Sequence, residues 1–506
     1  MSWGADVLQV TEDTFQLIKA ATSGINTTTG IAGIDLMRTL VSWVPVDTPF
    51  FTSTPRGPAS QGATRAIYQA LTNVNTQQPT GGTKLNEASP VAKIENQWVY
   101  SPYAKVGFGG TVSQDALAQA EGYATVLAVD TLQTVNQVLI ALEIHQLNAQ
   151  SFACPTPGTP TLTLHSSGGS IATGKKVTVK CAVGSGVNWY SGGASVPGTT
   201  AHVTTAANTS SVTASVTAVK TAARYDWYVK YTTGAFYYYT TTPVNTVTIT
   251  KKITANANVP TTYAGLHNAG SAGPAAATTA TTHQSYWQNG LVSSILGDFD
   301  HQPTQAFTAT NGANLVAPGT GTAQGSYYQS LTGAALSVQG AGFTQIDEMN
   351  RKIYDKWRVS PSRLLMGSQV ITDFSNAFLD NPQAVLWMRP DAADGRLNGT
   401  MGGHVAMYGN KTVDGKTIEL HLMPYLPPGK IVAVIDSLPF PGANVTSSLQ
   451  VRTQYDFFRF DYGANRTATS ASGGPRYDFE VASLQAFVNR SSPVMGVLDN
   501  IGAGVA

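Results

Sequence analysis

Charge is the scarcest property of this 506-residue chain. Asp, Glu, Lys and Arg together make up 12% of it, about half of the ~25% usual for soluble proteins. So little charge is a solubility risk for an isolated monomer. Two readings follow: copies of the chain cover much of each other's surface, or the chain is β-rich and works outside a cell. The formal net charge of +1 removes any global electrostatic argument for nucleic acid or an anionic membrane. Cysteine is nearly absent. Cys154 and Cys181 cannot make a disulfide framework, and their spacing fits no zinc site. No apolar run reaches the ~18 residues a membrane helix needs. The opening MSWGADVLQVTEDTF lacks a basic region followed by an apolar one, so no secretory signal is expected. The expectation is a soluble protein made in a cytosol, with reduced thiols and no membrane partner.

Recognisable chemistry is also missing. Asp298, Asp300 and His301 lie close together, but no other clustered ligand completes a metal set. Glu143 with His145, and Glu419 with His421, lack the H-E-x-x-H spacing of zinc proteases and read as polar positions on structural elements. Gly319, Gly321 and Gly325 do not fit G-x-G-x-x-G and follow no predicted strand, so GTGTAQG reads as a loop. Cys181 falls at an inward-facing strand position, where a thiol behaves as a small apolar group. The sequons at Asn26, Asn208, Asn398 and Asn410 are expected by chance in a Thr-rich chain. No catalytic residue, cofactor site or metal is assigned.

What is present is a succession of extended segments. After a turn-rich opening with a short amphipathic piece at 7–18, Thr64–Leu71 and Gln97–Phe108 alternate as two strands of a long hairpin around the loose tip PTGGTKLNEASP. Such a ribbon is only marginally stable alone, so it is expected to lie on something else. Thr111 and Gln114 have capping-box spacing. Leu117, Ala120, Tyr123, Leu127, Val135, Val138, Leu139, Leu142 and Ile144 then recur at helical spacing. The spacing predicts one helix over 111–150, a rod of roughly 50–55 Å.

From about Pro155 to Ile253 the chain turns Thr/Ser/Val-rich with period-two patterning. Val177, Val179, Cys181 and Val183 show it, as do Val212, Ala214, Val216 and Ala218, then Trp227, Val229 and Tyr231, and finally Val247, Ile249, Lys251 and Ile253. Short strands between turns predict a β-sandwich, with Trp189 as the candidate central aromatic. An Ala/Thr/Gly-rich linker, Thr254–Thr282, leads back to mixed α/β sequence. A helix is expected at Phe343–Trp357, with Ile346, Met349, Ile353 and Trp357 inward. Asp347–Arg351 and Glu348–Lys352 would form acid-before-base pairs on its wet side. A short helix fits Gln369–Leu379, and strands fit Ile418–Leu422, Lys430–Ile435, Leu449–Phe460 and Tyr477–Val488.

The order of these segments resembles the major capsid proteins of tailed bacteriophages. Three stretches carry it: ALEIHQLNAQSF, similar to the end of that family's spine helix; FTQIDEMNRKIYDKWRVSPSRLLMGSQVITDFS, similar to its helix–strand–helix; and YDFEVASLQAFVNRSSPVMGVLDNI, similar to its closing strand and tail. The resemblance implies an α+β capsid fold with an inserted all-β immunoglobulin-like sandwich. Its segments would be an N-terminal arm (1–59), an extended hairpin loop (60–110), a spine helix (111–152), the sandwich (153–255), a linker and return (256–330), an axial domain (331–429), and a peripheral return with tail (430–506). It further implies identical subunits as pentamers and hexamers, portal and decoration proteins, and a separate scaffolding protein or none. Packaged DNA would be contacted non-specifically, in a virion assembled in a host bacterial cytoplasm. Some members of that family join subunits by a Lys–Asn isopeptide bond. Lys84 at the hairpin tip, among Thr83, Leu85 and Asn86, and Asn465 in a loop of the return are the residues to compare.

Three functions from different classes are thus in play. The favoured one is a shell subunit whose function is assembly, with the hairpin tip lying on a neighbour. The second is a tail or cell-surface adhesin, with Tyr225, Trp227, Tyr228 and Tyr237–Tyr239 as a sugar-stacking face. The third, a hydrolase with an appended binding domain, lacks any triad, carboxylate pair or metal set.

Overall fold

The computed structural model describes residues 47–59, 62–74, 94–113, 126–149, 156–184, 195, 197–232, 236–252, 288–296, 326–339, 342–380, 406–413, 416–438, 447–465 and 476–502. The first described element is a short helix, α1 (Pro49–Ser53), with Pro at its first turn where no N–H is needed. It leads into β1 (Arg56–Pro58). Then come the hairpin strands β2 (Arg65–Val74) and β3 (Ile94–Pro102), followed by β4 (Ala104–Ser113) and α2 (Val126–Asn148). The hairpin stem is antiparallel from Arg65↔Pro102 to Val74↔Ile94.

Two expectations change here. The segment Gln97–Phe108 is not one strand: β3 ends at Pro102, and β4 crosses to another sheet. The residues Thr111–Ser113 do not open the helix. Thr111 pairs with Asp478 in β4, and its hydroxyl donates to the Asp478 carboxylate at 2.5 Å. A β-branched Thr-Val pair continuing the inward set Val106 and Val112 is held by ladder bonds, and these outweigh the capping pattern. Helix α2 has 23 residues, about 34 Å at 1.5 Å per residue.

Seven strands follow: β5 (Thr161–His165), β6 (Lys176–Gly184), β7 (Ala201–Thr204), β8 (Ser211–Ser215), β9 (Arg224–Tyr231), β10 (Tyr237–Thr242) and β11 (Thr246–Ile249). They form two sheets, β10-β9-β6-β7 and β11-β8-β5, around one core. Val177, Val179, Cys181 and Val183 of β6 meet Val212 and Ala214 of β8 there. The expected central residue Trp189 lies outside the described residues. Trp227 on β9 occupies the core, fully buried, with its indole N–H donating to Thr242 Oγ1 at 2.8 Å. Cys181 is a buried free thiol, as its strand position predicts.

The remaining elements build the body. They are α3 (Leu291–Leu296), β12 (Tyr327–Ser330), β13 (Val338–Gln339), β14 (Gly342–Phe343), α4 (Thr344–Trp357), β15 (Arg363–Met366), α5 (Ser368–Asp380), β16 (Met407–Gly409), β17 (Thr417–Leu422), β18 (Ile431–Val434), β19 (Leu449–Asn465), β20 (Arg476–Asn489) and β21 (Gly496–Asp499). Helix α4 buries Ile346, Met349, Ile353 and Trp357 and stops at Arg358, whose φ of 55° closes it in the left-handed region. Lys352 pairs with Glu348 at 2.9 Å as expected. Asp347 does not pair with Arg351. It accepts from Lys411 Nζ and the Tyr408 hydroxyl, both at 2.6 Å, because packing against the β16 region brings stronger partners than its own turn.

A six-stranded sheet runs β12-β21-β18-β15-β17-β16, so its strands come from both sides of the expected boundary at 429/430. A four-stranded sheet runs β1-β19-β20-β4, with α2 on one face: Val138 and Leu142 pack on Val106, Phe479 and Val481. Asn465 is the last residue of β19, paired with Arg476, and not a loop residue.

Candidate inter-subunit surfaces

Three features of the described surface bear on assembly, and each begins with an anchored base. The first is the link from α1 to α2. The C-terminal stretch of α2, Leu142–Asn148, is buried on all sides, polar residues included. Within it, the Glu143 carboxylate receives the Phe50 N–H at 3.1 Å and the Phe51 N–H at 2.6 Å, so it caps α1 from another element. Burial pushes its pKa up to about 7, against the pull of those two N–H bonds and with a further push from Asp47. Phe50, fully buried, meets Phe487 with ring centroids 6.0 Å apart. The sequence marks Glu143 as an acid in an apolar stripe. Its partners, more than ninety residues earlier, leave no local signal. His145 is pushed down to about 4 by burial, which keeps it neutral.

The second is the hairpin. Its base is not free: Ala66 and Tyr68 pack on Ala486 and Val488 of β20, and burial drives the Tyr68 phenol far above its usual pKa. Ile67, on the alternate face, is exposed, and the Arg65 guanidinium sits 4.7 Å over the Tyr100 ring. The tip residues Thr83, Lys84, Leu85 and Asn86 lie outside the described residues.

The third is β19, at 17 residues the longest described strand. β1 covers only Val451–Thr453 of its outer edge. Beyond Thr453 that edge has no strand partner among the described residues. The uncovered stretch exposes Tyr455 (63%), Phe457 (42%), Phe460 (54%) and Tyr462 (57%). The rings hold one another: Tyr455–Phe458 centroids are 5.6 Å apart and Phe458–Phe460 4.8 Å. The Lys105 ammonium meets Glu480 at 2.5 Å, and Tyr462 donates to the other Glu480 oxygen at 2.6 Å. These two contacts, Lys105 foremost, hold the Glu480 carboxyl below its usual pKa. The signal was available: YDFFRFDY places five aromatics in eight residues at both strand parities, more than one buried face can take.

Half of the expected aromatic face of the sandwich is buried. Tyr225, Trp227 and Tyr228 are buried. They fill the core or lie beneath their neighbours, so they have no ring face to stack on a sugar. Tyr237, Tyr238 and Tyr239 on β10 are half-buried, and Tyr238 is tied to Thr241, which donates to Asp226. Asp298, Asp300, His301, Cys154 and the 319–325 glycines lie outside the described residues. Glu419 and His421 meet at 3.1 Å as an exposed pair. Among the described residues no group of three His, Cys, Asp or Glu could hold a metal, and no helix is long and apolar enough to cross a membrane.

No family model matches the sequence, and no curated protein matches it. Solved structures do. A chain of the cyanophage A-1(L) capsid asymmetric unit is similar at 11% identity and TM-score 0.43, over 94% of this chain and 99% of that one. A chain of the capsid of a native GTA particle is similar at 8% identity and TM-score 0.38, over 95% of each. A chain of the capsid of Myoviridae phage XM1 is similar at 8% and 0.38, over 94% of this chain and all of that one. These three solved chains, each matched along nearly its whole length, are all capsid chains.

Proposed function

We propose that this chain is a structural subunit that assembles with identical copies into the icosahedral head shell of a tailed bacteriophage enclosing double-stranded DNA. It would act as a virion component assembled in the host cytoplasm, as pentamers and hexamers, with an immunoglobulin-like sandwich on the outer surface. One observation carries the reading: a β19 edge that has no strand partner beyond Thr453 among the described residues and bears four exposed aromatics, next to a hairpin whose stem packs on β20. An edge of that kind is an aggregation hazard unless something covers it. In a closed symmetric shell a neighbouring copy covers it at every position. The low charge of the chain fits the same account, since surface buried between copies needs no charge. The link through Glu143 supports it further by fixing α1, at the end of the expected arm, to the helix α2.

For the adhesin reading, the burial of Tyr225, Trp227 and Tyr228 leaves the half-buried Tyr237–Tyr239 as its ring surface. The test is expression of the full chain, followed by sedimentation and negative-stain imaging. Particles tens of nanometres across, or pentamers and hexamers, are expected. A stable monomer at high concentration overturns the reading.

A further inference from the structure

A sandwich carried on a larger body can be a loose appendage, yet this one meets the body at one end through buried polar groups. Lys430, just before β18, and Asp499, at the end of β21, are each 1% exposed and paired at 2.5 Å. Two buried charges are tolerated only with further hydrogen bonds, and here those come from several elements. The Asp499 carboxylate also accepts from the Asn500 N–H at 2.8 Å and from the Tyr328 hydroxyl at 3.3 Å. Asn500, held at a φ of 54°, donates to Ser330 at 3.0 Å and lies beside the Tyr225 phenol. Tyr225 belongs to β9 of the sandwich. Its hydroxyl takes the Val219 N–H at 3.1 Å, which fixes the β8–β9 loop at the point where the sandwich faces Asn500.

Two more contacts flank this point. The Lys220 ammonium stands 5.8 Å from the Tyr328 ring. Gly333, at a φ of 86°, lies so close to Thr246 that a Cβ there would come within 2.7 Å of its hydroxyl. The contacts all involve one end of the sandwich. β8 runs from Ser211 to Ser215 into the Val216–Ala223 loop, and β11 runs from Thr246 toward Lys251. Thr209, Thr250, Lys251 and the Ser167–Ser170 turn therefore lie at the opposite end, where they line a shallow polar bowl.

We infer that the sandwich is seated on the body in one fixed orientation by the seam Tyr225–Asn500–Asp499–Lys430 with Tyr328, and that the seam makes the Ser167–Ser170, Thr209 and Lys251 end the face it presents. Seating of this kind makes the sandwich a strut continuous with the six-stranded sheet. A tethered module would instead melt and move on its own. The inference stands independently of whether shells form.

Calorimetry and hydrogen exchange on the full chain test it. The native chain should unfold its sandwich and body in one transition. The double variant Tyr225→Phe/Tyr328→Phe keeps both rings and removes both phenols. It should separate a sandwich transition and raise exchange in 326–333 and 496–502 roughly tenfold, while β6 and β9 stay protected. If β6 and β9 also lose protection, the single Tyr225→Phe variant decides by the same readout. Two transitions in the native chain overturn the inference. So does unchanged exchange at 326–333 and 496–502 in the variants.

Discussion

The sandwich and the β1-β19-β20-β4 sheet are both rich in aromatic strand residues, and they use them in opposite ways. The sandwich folds Tyr225, Trp227 and Tyr231 into a core closed by its own second sheet. The four-stranded sheet buries one face under α2 and leaves Tyr455, Phe457, Phe460 and Tyr462 in the open beside an uncovered edge. Aromatic content alone therefore says nothing about recognition. What counts is whether the chain supplies the second layer. For the sandwich it does. For the outer half of β19, among the described residues, it does not, and the missing layer is assigned to another copy.

Substitutions can break this contrast. Trp227→Ala should cost about 3–5 kcal/mol, since it empties the centre of a packed core. The loss should appear as a lower denaturation midpoint of the chain, and an unchanged midpoint contradicts the core assignment. Glu143→Ala comes next. It strands the buried Phe50 and Phe51 N–H groups and should destabilise by about 1–3 kcal/mol, read by the same melts.

Glu143 also carries a pH signature. Its folded-state pKa lies above its ordinary value of 4.5, at about 7, so the folded chain holds that proton more tightly than the unfolded chain. The associated stability is fully present below about pH 4.5, declines as pH rises toward 7 and is gone above it. A denaturant-midpoint series from pH 4.5 to 8 should show this slope, and Glu143→Gln should flatten it. Smallest of all, Glu348→Ala removes an exposed i,i+4 pair and should shift stability by only about 0.3–0.5 kcal/mol in the same melts.

Local periodicity accounts for what could be read in advance. The hairpin stem, the strands around Cys181, Val212 and Trp227, and the stripe of α4 all follow from period-two or helical spacing. Three kinds of information were not local. Thr111 could equally cap a helix or continue a strand, and its pairing with β20 more than 360 residues later decides. Asp347 has a suitable base one turn away at Arg351 but finds Lys411 through tertiary packing. Glu143 reads only as a polar position on a structural element, and its partners, the Phe50 and Phe51 N–H groups, sit more than ninety residues earlier. The candidate surface on β19 was partly legible, because YDFFRFDY cannot bury every ring. Which rings face out depended on the register shifts of β19 against β20, which no local pattern shows.

The most direct test is sedimentation velocity with electron microscopy on the native chain and on Tyr455→Ser/Phe460→Ser. Both positions are exposed, so the double variant should keep its melting behaviour within about 0.5 kcal/mol per site. The native chain is expected to form capsomers or shells, and the variant to remain a folded monomer. Shells formed equally well by the variant, or a native chain that stays monomeric at high concentration, would contradict the account.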